Sequence, residues 1–186
     1  QMCIRDSPRP ESEMLVEEVL KSTLKNEKKK ILELGTGSGA IAISIALERR
    51  NTTVIASDIS MAALEIAMCY GDKYDSKNIS FYESNWFSGI QEKHFDFIVC
   101  NPPYIKTSDL ALSELKFEPI EALTSGKDGL DAIRHIALNA KSHLNKNDAK
   151  FSVGIRSLLN MMQHSGIWCA FKIISLVTIG HRGKMK

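Results

Sequence analysis

The segment Glu33-Leu34-Gly35-Thr36-Gly37-Ser38-Gly39 sets three glycines at alternate positions between an apolar run and a helical pattern. Glycines in that setting let the backbone turn tightly and approach a ligand, while the first amides of the following helix point into the same space. The chemistry this suits is binding of a nucleotide-like cofactor, although a plain glycine-rich turn explains the spacing equally well when the motif stands alone. Asp58 lies 19 residues beyond Gly39 at the end of a second strand pattern, where a carboxylate can accept from both ribose hydroxyls of an adenosine cofactor. Its competing job is to cap the helix that begins at Ser60. Glycines and acid together favour the ligand. They do not separate a nicotinamide enzyme from a methyltransferase, because Gly35 to Ala40 also satisfies the looser G-x-G-x-x-A pattern.

A third feature chooses between them. Asn101-Pro102-Pro103-Tyr104 follows directly on the apolar stretch 95–100. Two consecutive prolines lock φ and remove donors, so their region presents carbonyl oxygens, while Asn adds an amide and Tyr a flat ring. That set suits a planar –NH2 group. Carbonyl acceptors from Asn101 and Pro102 could hold its two N–H bonds and aim the nitrogen at an electrophilic methyl. Alignment and desolvation then replace a strong base, and no Cys or Ser nucleophile is needed. The competing reading is a rigid loop leaving a strand.

These residues need elements that hold them at one edge. The spacing of Leu15, Val19, Leu20 and Leu24 predicts a helix over 10–25, with Pro10 in its first turn and acids beside its N-terminus. A short strand over 31–34 precedes the glycines, and a helix over 39–49 follows them. A β-branched strand over 53–56 ends at Asp58, a helix capped by Ser60 covers 60–70, and strands are expected at 79–82 and 95–100. A helix over 130–144 and a strand near 151–153 complete the pattern, and 104–128 reads as a long irregular connection broken at Gly126 and Gly129. Strands alternating with helices predict a parallel α/β sheet, which binds ligands at the carboxyl ends of its strands.

Composition bounds the rest. The 186 residues, 44% hydrophobic and 25% charged, suffice for one domain with a sizeable core and exclude a collagen-like or fully disordered chain. Apolar runs such as Ala40 to Ile43, with an extension through Ser44 to Leu47, fall far short of the roughly 20 residues that span a bilayer. A net charge of +2 neither demands nor forbids nucleic acid. Cys3, Cys69, Cys100 and Cys169 form no C-x-x-C pair, so neither a zinc pattern nor a disulfide framework is expected, and a reducing cytoplasm fits. The five histidines, His94, His135, His143, His164 and His181, have no metal-like spacing, and no metal is assigned. Met61, Met68, Met161 and Met162 read as packing residues.

The ordered motifs resemble the Asn-Pro-Pro-Tyr class of S-adenosylmethionine-dependent methyltransferases, which act on nitrogen atoms of proteins, DNA or RNA. Three further stretches are similar to the PrmC/HemK family of release-factor glutamine N5-methyltransferases: Pro8-Arg9-Pro10-Glu11-Ser12-Glu13, Asn85-Trp86-Phe87, and Phe117-Glu118-Pro119 followed by Gly129-Leu130-Asp131. The resemblance runs from about Pro8 to Leu144. It implies a Rossmann-like, doubly wound, mostly parallel sheet and a catalytic domain over 8–186. It further implies methyl transfer from S-adenosylmethionine to the glutamine side chain in the Gly-Gly-Gln motif of peptide chain release factors, a step linked to translation termination. By the same resemblance Gly35, Thr36, Gly37, Ser38 and Gly39 would line the methionine part of the cofactor, Asp58 its ribose and Trp86 its adenine. Asn101, Pro102, Pro103 and Tyr104 would hold the substrate glutamine, with Asn101 also beside the cofactor.

Trp86 has a rival reading as a core aromatic. Asn85 stands where the family has Asp, and its carbonyl can still accept from an adenine amine. Only seven residues precede Pro8, where the family carries a helical N-terminal domain, and 145–186 matches its pattern poorly; a truncated or damaged reading frame is the expectation for both ends. The alternatives are a nucleic-acid amino-group methyltransferase acting on a flipped base, and a non-catalytic cofactor-binding domain.

Overall fold

The computed structural model describes residues 10–113, 115, 119–146 and 150–153. The expectations for 1–9, for Phe117-Glu118, for 147–149 and for everything from Gly154 on, including Cys3, Cys169, His164, His181, Met161 and Met162, lie outside the described residues.

The elements run α1 (Pro10–Ser22), β1 (Lys30–Leu34), α2 (Ala40–Glu48), β2 (Thr53–Asp58), α3 (Met61–Lys73), β3 (Ile79–Glu83), β4 (Phe97–Cys100), α4 (Asp131–His143) and β5 (Lys150–Val153). The strands pair in the order β3-β2-β1-β4-β5, and every pairing is parallel. Parallel strands covered on both faces need apolar side chains throughout, and β1, β2 and β4 are buried along nearly their whole lengths. β3, at the edge, has no fully buried residue, and Ser80, Tyr82 and Glu83 are exposed.

The pleat of each strand sends successive side chains to opposite faces, which divides the interior in two. Ile31, Val54, Ala56, Phe97 and Val99 meet Leu15 and Val19 of α1 and Ile41, Ala42, Ile45 and Ala46 of α2. On the other face, Leu32, Leu34, Ile98 and Cys100 meet Ile133, Ile136 and Ala140 of α4, together with Phe87 and Ile90. Fully burying one such Leu, Ile or Phe side chain contributes roughly 1.5–3 kcal/mol.

Element ends differ from the sequence reading where a tertiary contact outweighs local pattern. α1 stops at Ser22 and not near 25, because the Thr23 hydroxyl donates to the Val19 carbonyl and the Arg49 guanidinium collects the carbonyls of Leu20 and Thr23. α3 continues past Tyr70 to Lys73, since the bare Cα of Gly71 admits the ring of Phe81. β4 is shorter than 95–100: Phe95 bridges to Leu144, and the Asp96 carboxylate accepts from the Lys30 amide and the Asn145 side chain. The connection 104–128 is less irregular than expected. It holds two short 3-10 turns, Leu110–Ser113 and Ile120–Ala122, and returns so that Ile105 donates to the Leu123 carbonyl and accepts from the Ser125 amide.

Candidate active site

The strand order reverses at β1: β2 and β3 lie on one side, β4 and β5 on the other. In open parallel sheets the crevice for a ligand forms at such a switch point, outside the carboxyl ends of the strands. The register places the motifs there. Leu34 pairs with Cys100 and with Ser57, so Gly35, Asn101 and Asp58 each leave the end of one of three adjacent strands.

The glycine loop is held from several directions. Gly35, Gly37 and Gly39 have φ of 68°, 57° and 86°, the left-handed region that L side chains rarely adopt. The Thr36 amide donates to the Ser57 carbonyl at 2.9 Å, and the Gly37 amide to Asp58 Oδ2 at 2.8 Å. Asp58 Oδ1 accepts from the Ser60 amide at 2.9 Å, so one oxygen serves the helix start, as the competing reading expected, while the other holds the glycine loop. The Ser60 hydroxyl caps α3 through the Ala63 amide. Thr36 is buried with its hydroxyl turned inward to Glu33 Oε2 at 2.6 Å, whereas Gly37 and Ser38 are half-buried and Gly35 is exposed.

Trp86 reaches the same edge from beyond β3. It is a non-glycine residue at φ 52°, a conformation that costs about 1–3 kcal/mol and persists where the surroundings impose it. Ser84 imposes it: its hydroxyl donates to the Trp86 carbonyl at 2.7 Å and accepts from the Gly89 amide at 2.9 Å, while its amide donates to the Asp58 carbonyl. The indole edge lies 3.7 Å from where a Cβ on Gly35 would stand, and the ring is partly buried against the α4-side core. The side chain thus packs against the core while its edge stands beside the glycine loop. Asn85 beside it is exposed.

At the end of β4, Pro102 is buried, while Asn101, Pro103 and Tyr104 are half-buried. Asn101 Oδ1 is sealed from solvent and has no hydrogen-bond partner among the described residues. Leaving such an acceptor unsatisfied costs about 1–3 kcal/mol; Ser76 Oγ and Asn78 Oδ1 share that state, and Asn101 differs from them in standing at the end of β4, beside the strand that bears the glycine loop.

Sequence reasoning assigned no role to Glu33, although it stands at the head of the glycine motif. It is fully buried in β1, and its Oε2 also accepts from the Ala42 amide at 2.9 Å. Burial pushes its carboxyl up to about 8, opposed by the hydrogen bonds from Thr36 and Ala42 and reinforced by the charge of Asp58. An acid set among Ile31, Leu32 and Leu34 was the available signal, since unpaired acids are almost never buried. Cys100 is buried as well, and burial followed by the nearby Glu33 push its thiol far above the ordinary range.

A doubly wound parallel sheet with a glycine loop after its first strand, an acid after its second and Asn-Pro-Pro-Tyr after its fourth defines a Rossmann-like fold of the class I methyltransferase type. The description "Methyltransferase small domain" fits residues 10–115, and the chain belongs to that family. It is 50% identical over 137 residues to the release factor glutamine methyltransferase of Coxiella burnetii, covering 74% of this chain and 50% of the relative. Identity to the protein of the same name in Xylella fastidiosa strain Temecula1 is 45% over 139 residues, again 74% of this chain and 50% of the relative. A bifunctional methyltransferase of Rickettsia felis is 48% identical over 130 residues, 68% of this chain and 25% of the relative. The chain spans about half the length of the release factor methyltransferases it matches. Among solved structures, the ribosomal protein L11 methylase of Lactobacillus delbrueckii superposes with a TM-score of 0.55 at 18% identity, over 82% of this chain and 64% of that one, a likeness of fold.

Proposed function

We propose that this chain carries the catalytic site of an S-adenosylmethionine-dependent methyltransferase that methylates the side-chain amide nitrogen of the glutamine in the Gly-Gly-Gln motif of release factors. The observation that carries this reading is the buried, unpartnered Asn101 Oδ1 at the end of β4, next to the strand that bears the glycine loop. The names of the relatives support the substrate class.

The residues present suit the cofactor. Nothing stands within 4 Å of where a Cβ on Gly37 would be, so the loop backbone faces open space, and Asp58 and Trp86 flank it with a carboxylate and an aromatic ring. In this reading the loop holds the methionine part, Asp58 the ribose and Trp86 the adenine. When bound, S-adenosylmethionine supplies a methyl carbon made electrophilic by its sulfonium sulfur.

Asn101 Oδ1 accepts one N–H of the glutamine –NH2, and the Pro102 carbonyl accepts the other. Two acceptors fix the plane of the amide and turn its nitrogen toward the cofactor side. Burial of Pro102 and of Asn101 Oδ1 limits the water that would compete for the same N–H bonds. An amide nitrogen is a weak nucleophile, so alignment and dehydration do the work that a base would do elsewhere; as the nitrogen takes the methyl, the carbon–sulfur bond would break with its electron pair left on sulfur, and one of the two amide protons would leave to solvent. Pro103 stiffens the turn, and Tyr104 offers its ring beside the substrate. A release factor in a reducing cytoplasm is the partner this reading requires.

The test is to incubate the chain with S-adenosylmethionine and a release factor, then map methylation by mass spectrometry of the Gly-Gly-Gln peptide. One methyl on that glutamine, absent with Asn101→Ala, supports the proposal. No methyl there, or transfer to DNA or ribosomal RNA instead, overturns it.

A further inference from the structure

Three of the five residues of the glycine loop sit at positive φ, and the helix that follows starts without a side-chain cap. A loop of that composition is costly to order, because glycine loses more backbone freedom on folding than any other residue. Something outside the loop must hold both its beginning and its end. Asp58 and Ser57 hold one flank from β2. The remaining tether comes from below, out of β1.

Glu33 shares the pleat parity of Ile31, so its side chain leaves β1 on the face covered by α2. A single oxygen, Oε2, receives the Thr36 hydroxyl at 2.6 Å and the Ala42 amide at 2.9 Å. Thr36 is the second residue of the loop, and Ala42 lies in the first turn of α2. That oxygen therefore bridges the two ends of the loop and takes the place of the missing cap, at the helix terminus where negative charge is favoured. It also turns the Thr36 side chain inward, leaving the backbone of Gly37 and Ser38 as the surface facing outward. The ionisable groups that bear on Glu33 are Asp58 from the end of β2 and Cys100 from β4.

We propose that Glu33 is a positioning residue for cofactor binding, presetting the glycine loop by bridging the Thr36 hydroxyl and the Ala42 amide. It acts through the loop and not by touching the substrate. This rests on the loop being the S-adenosylmethionine site. Ionised acceptors form stronger hydrogen bonds than neutral ones, so the bridge tightens as Glu33 loses its proton.

The experiment is calorimetric titration of the full chain and its variants with S-adenosylmethionine between pH 6 and 9, with thermal unfolding of each variant alongside. Glu33→Ala leaves a buried hydroxyl and a buried amide without their acceptor and is expected to weaken binding about tenfold or more in protein that remains folded. Thr36→Val is expected to weaken it less, and the double variant to lose less than the product of the two. Glu33→Gln keeps an oxygen for both donors and restores most of the affinity. The ligand's own ionisation is common to all variants, so the ratio of wild-type to Glu33→Gln affinity isolates this group, and it is expected to rise on passing pH 8. Glu33→Ala binding as tightly as wild type, or a ratio that is flat with pH, overturns the inference. Wild type that binds no S-adenosylmethionine fails the reading of the site itself, a separate outcome.

Discussion

Replacing Gly39 and Gly37 by alanine one at a time separates backbone strain from close packing within a single loop. Both glycines have positive φ, 86° and 57°, so either alanine bears the left-handed penalty of about 1–2 kcal/mol. Their surroundings differ. A Cβ on Gly37 meets nothing within 4 Å. A Cβ on Gly39 stands 2.8 Å from Ile43 Cδ1, 3.0 Å from Ala67 Cβ and 3.4 Å from Ala67 Cα. The end of the Ile43 side chain can swing away, but Ala67 Cβ is fixed to the backbone of α3, so the two helices must separate. Overpacking of that kind adds about 1–3 kcal/mol. The expected loss is therefore about 2–5 kcal/mol for Gly39→Ala and about 1–2 kcal/mol for Gly37→Ala, out of a domain stability of about 5–15 kcal/mol. Urea unfolding followed by circular dichroism reads both, with unchanged slopes showing that the two folded states are comparable. Adding Ala67→Gly to Gly39→Ala removes the clashing methyl, and the pair should lose less than the sum of the single changes. Equal losses for the two alanines, or strict additivity with Ala67→Gly, would refute the claim that Gly39 is required by the α2–α3 approach.

Glu33→Gln also changes how stability depends on pH. Because folding raises this carboxyl from 4.5 to about 8, its neutral form favours the folded state fully below 4.5, and that contribution fades as pH climbs toward 8. The ceiling is about 5 kcal/mol, and relaxation of the site brings it to a few. Urea midpoints at pH 5 and pH 8.5 should fall more for wild type than for Glu33→Gln; parallel curves would contradict this. Asn101→Ala is expected to leave S-adenosylmethionine affinity nearly intact while lowering methyl transfer about 100-fold, through lost alignment. Asp58→Ala should instead weaken cofactor binding, since it removes the acceptor for the Gly37 amide; equal binding losses in both variants would contradict the division of roles. Cys69 is exposed and Cys100 buried with a raised thiol, so iodoacetamide on the native chain should label the Cys69 peptide well before the Cys100 peptide. Peptide mapping before and after unfolding checks the order.

Much was legible along the chain because the signals are local. The glycines, Asp58 and Asn101-Pro102-Pro103-Tyr104 each stand at a strand end, where backbone chemistry and hydrophobic period change together, and the Ser60 cap could be read from its own side-chain type. The strands fell within a residue or two of their places; β4 starts two residues late, with Phe95 bridged to Leu144 instead. What the tertiary structure alone decided depends on contacts between residues far apart in sequence. The strand order that seats Gly35 beside Asn101 arises from pairing Leu34 with Cys100, 66 residues on. The strained backbone of Trp86 is held by a Ser84 that is itself tied to β2. Glu33 reads as an anomaly in a strand until α2 packs over it and supplies the Ala42 amide. Residue type and spacing specify which groups are available. Parallel pairing, which joins no neighbours in sequence, decides which of them meet.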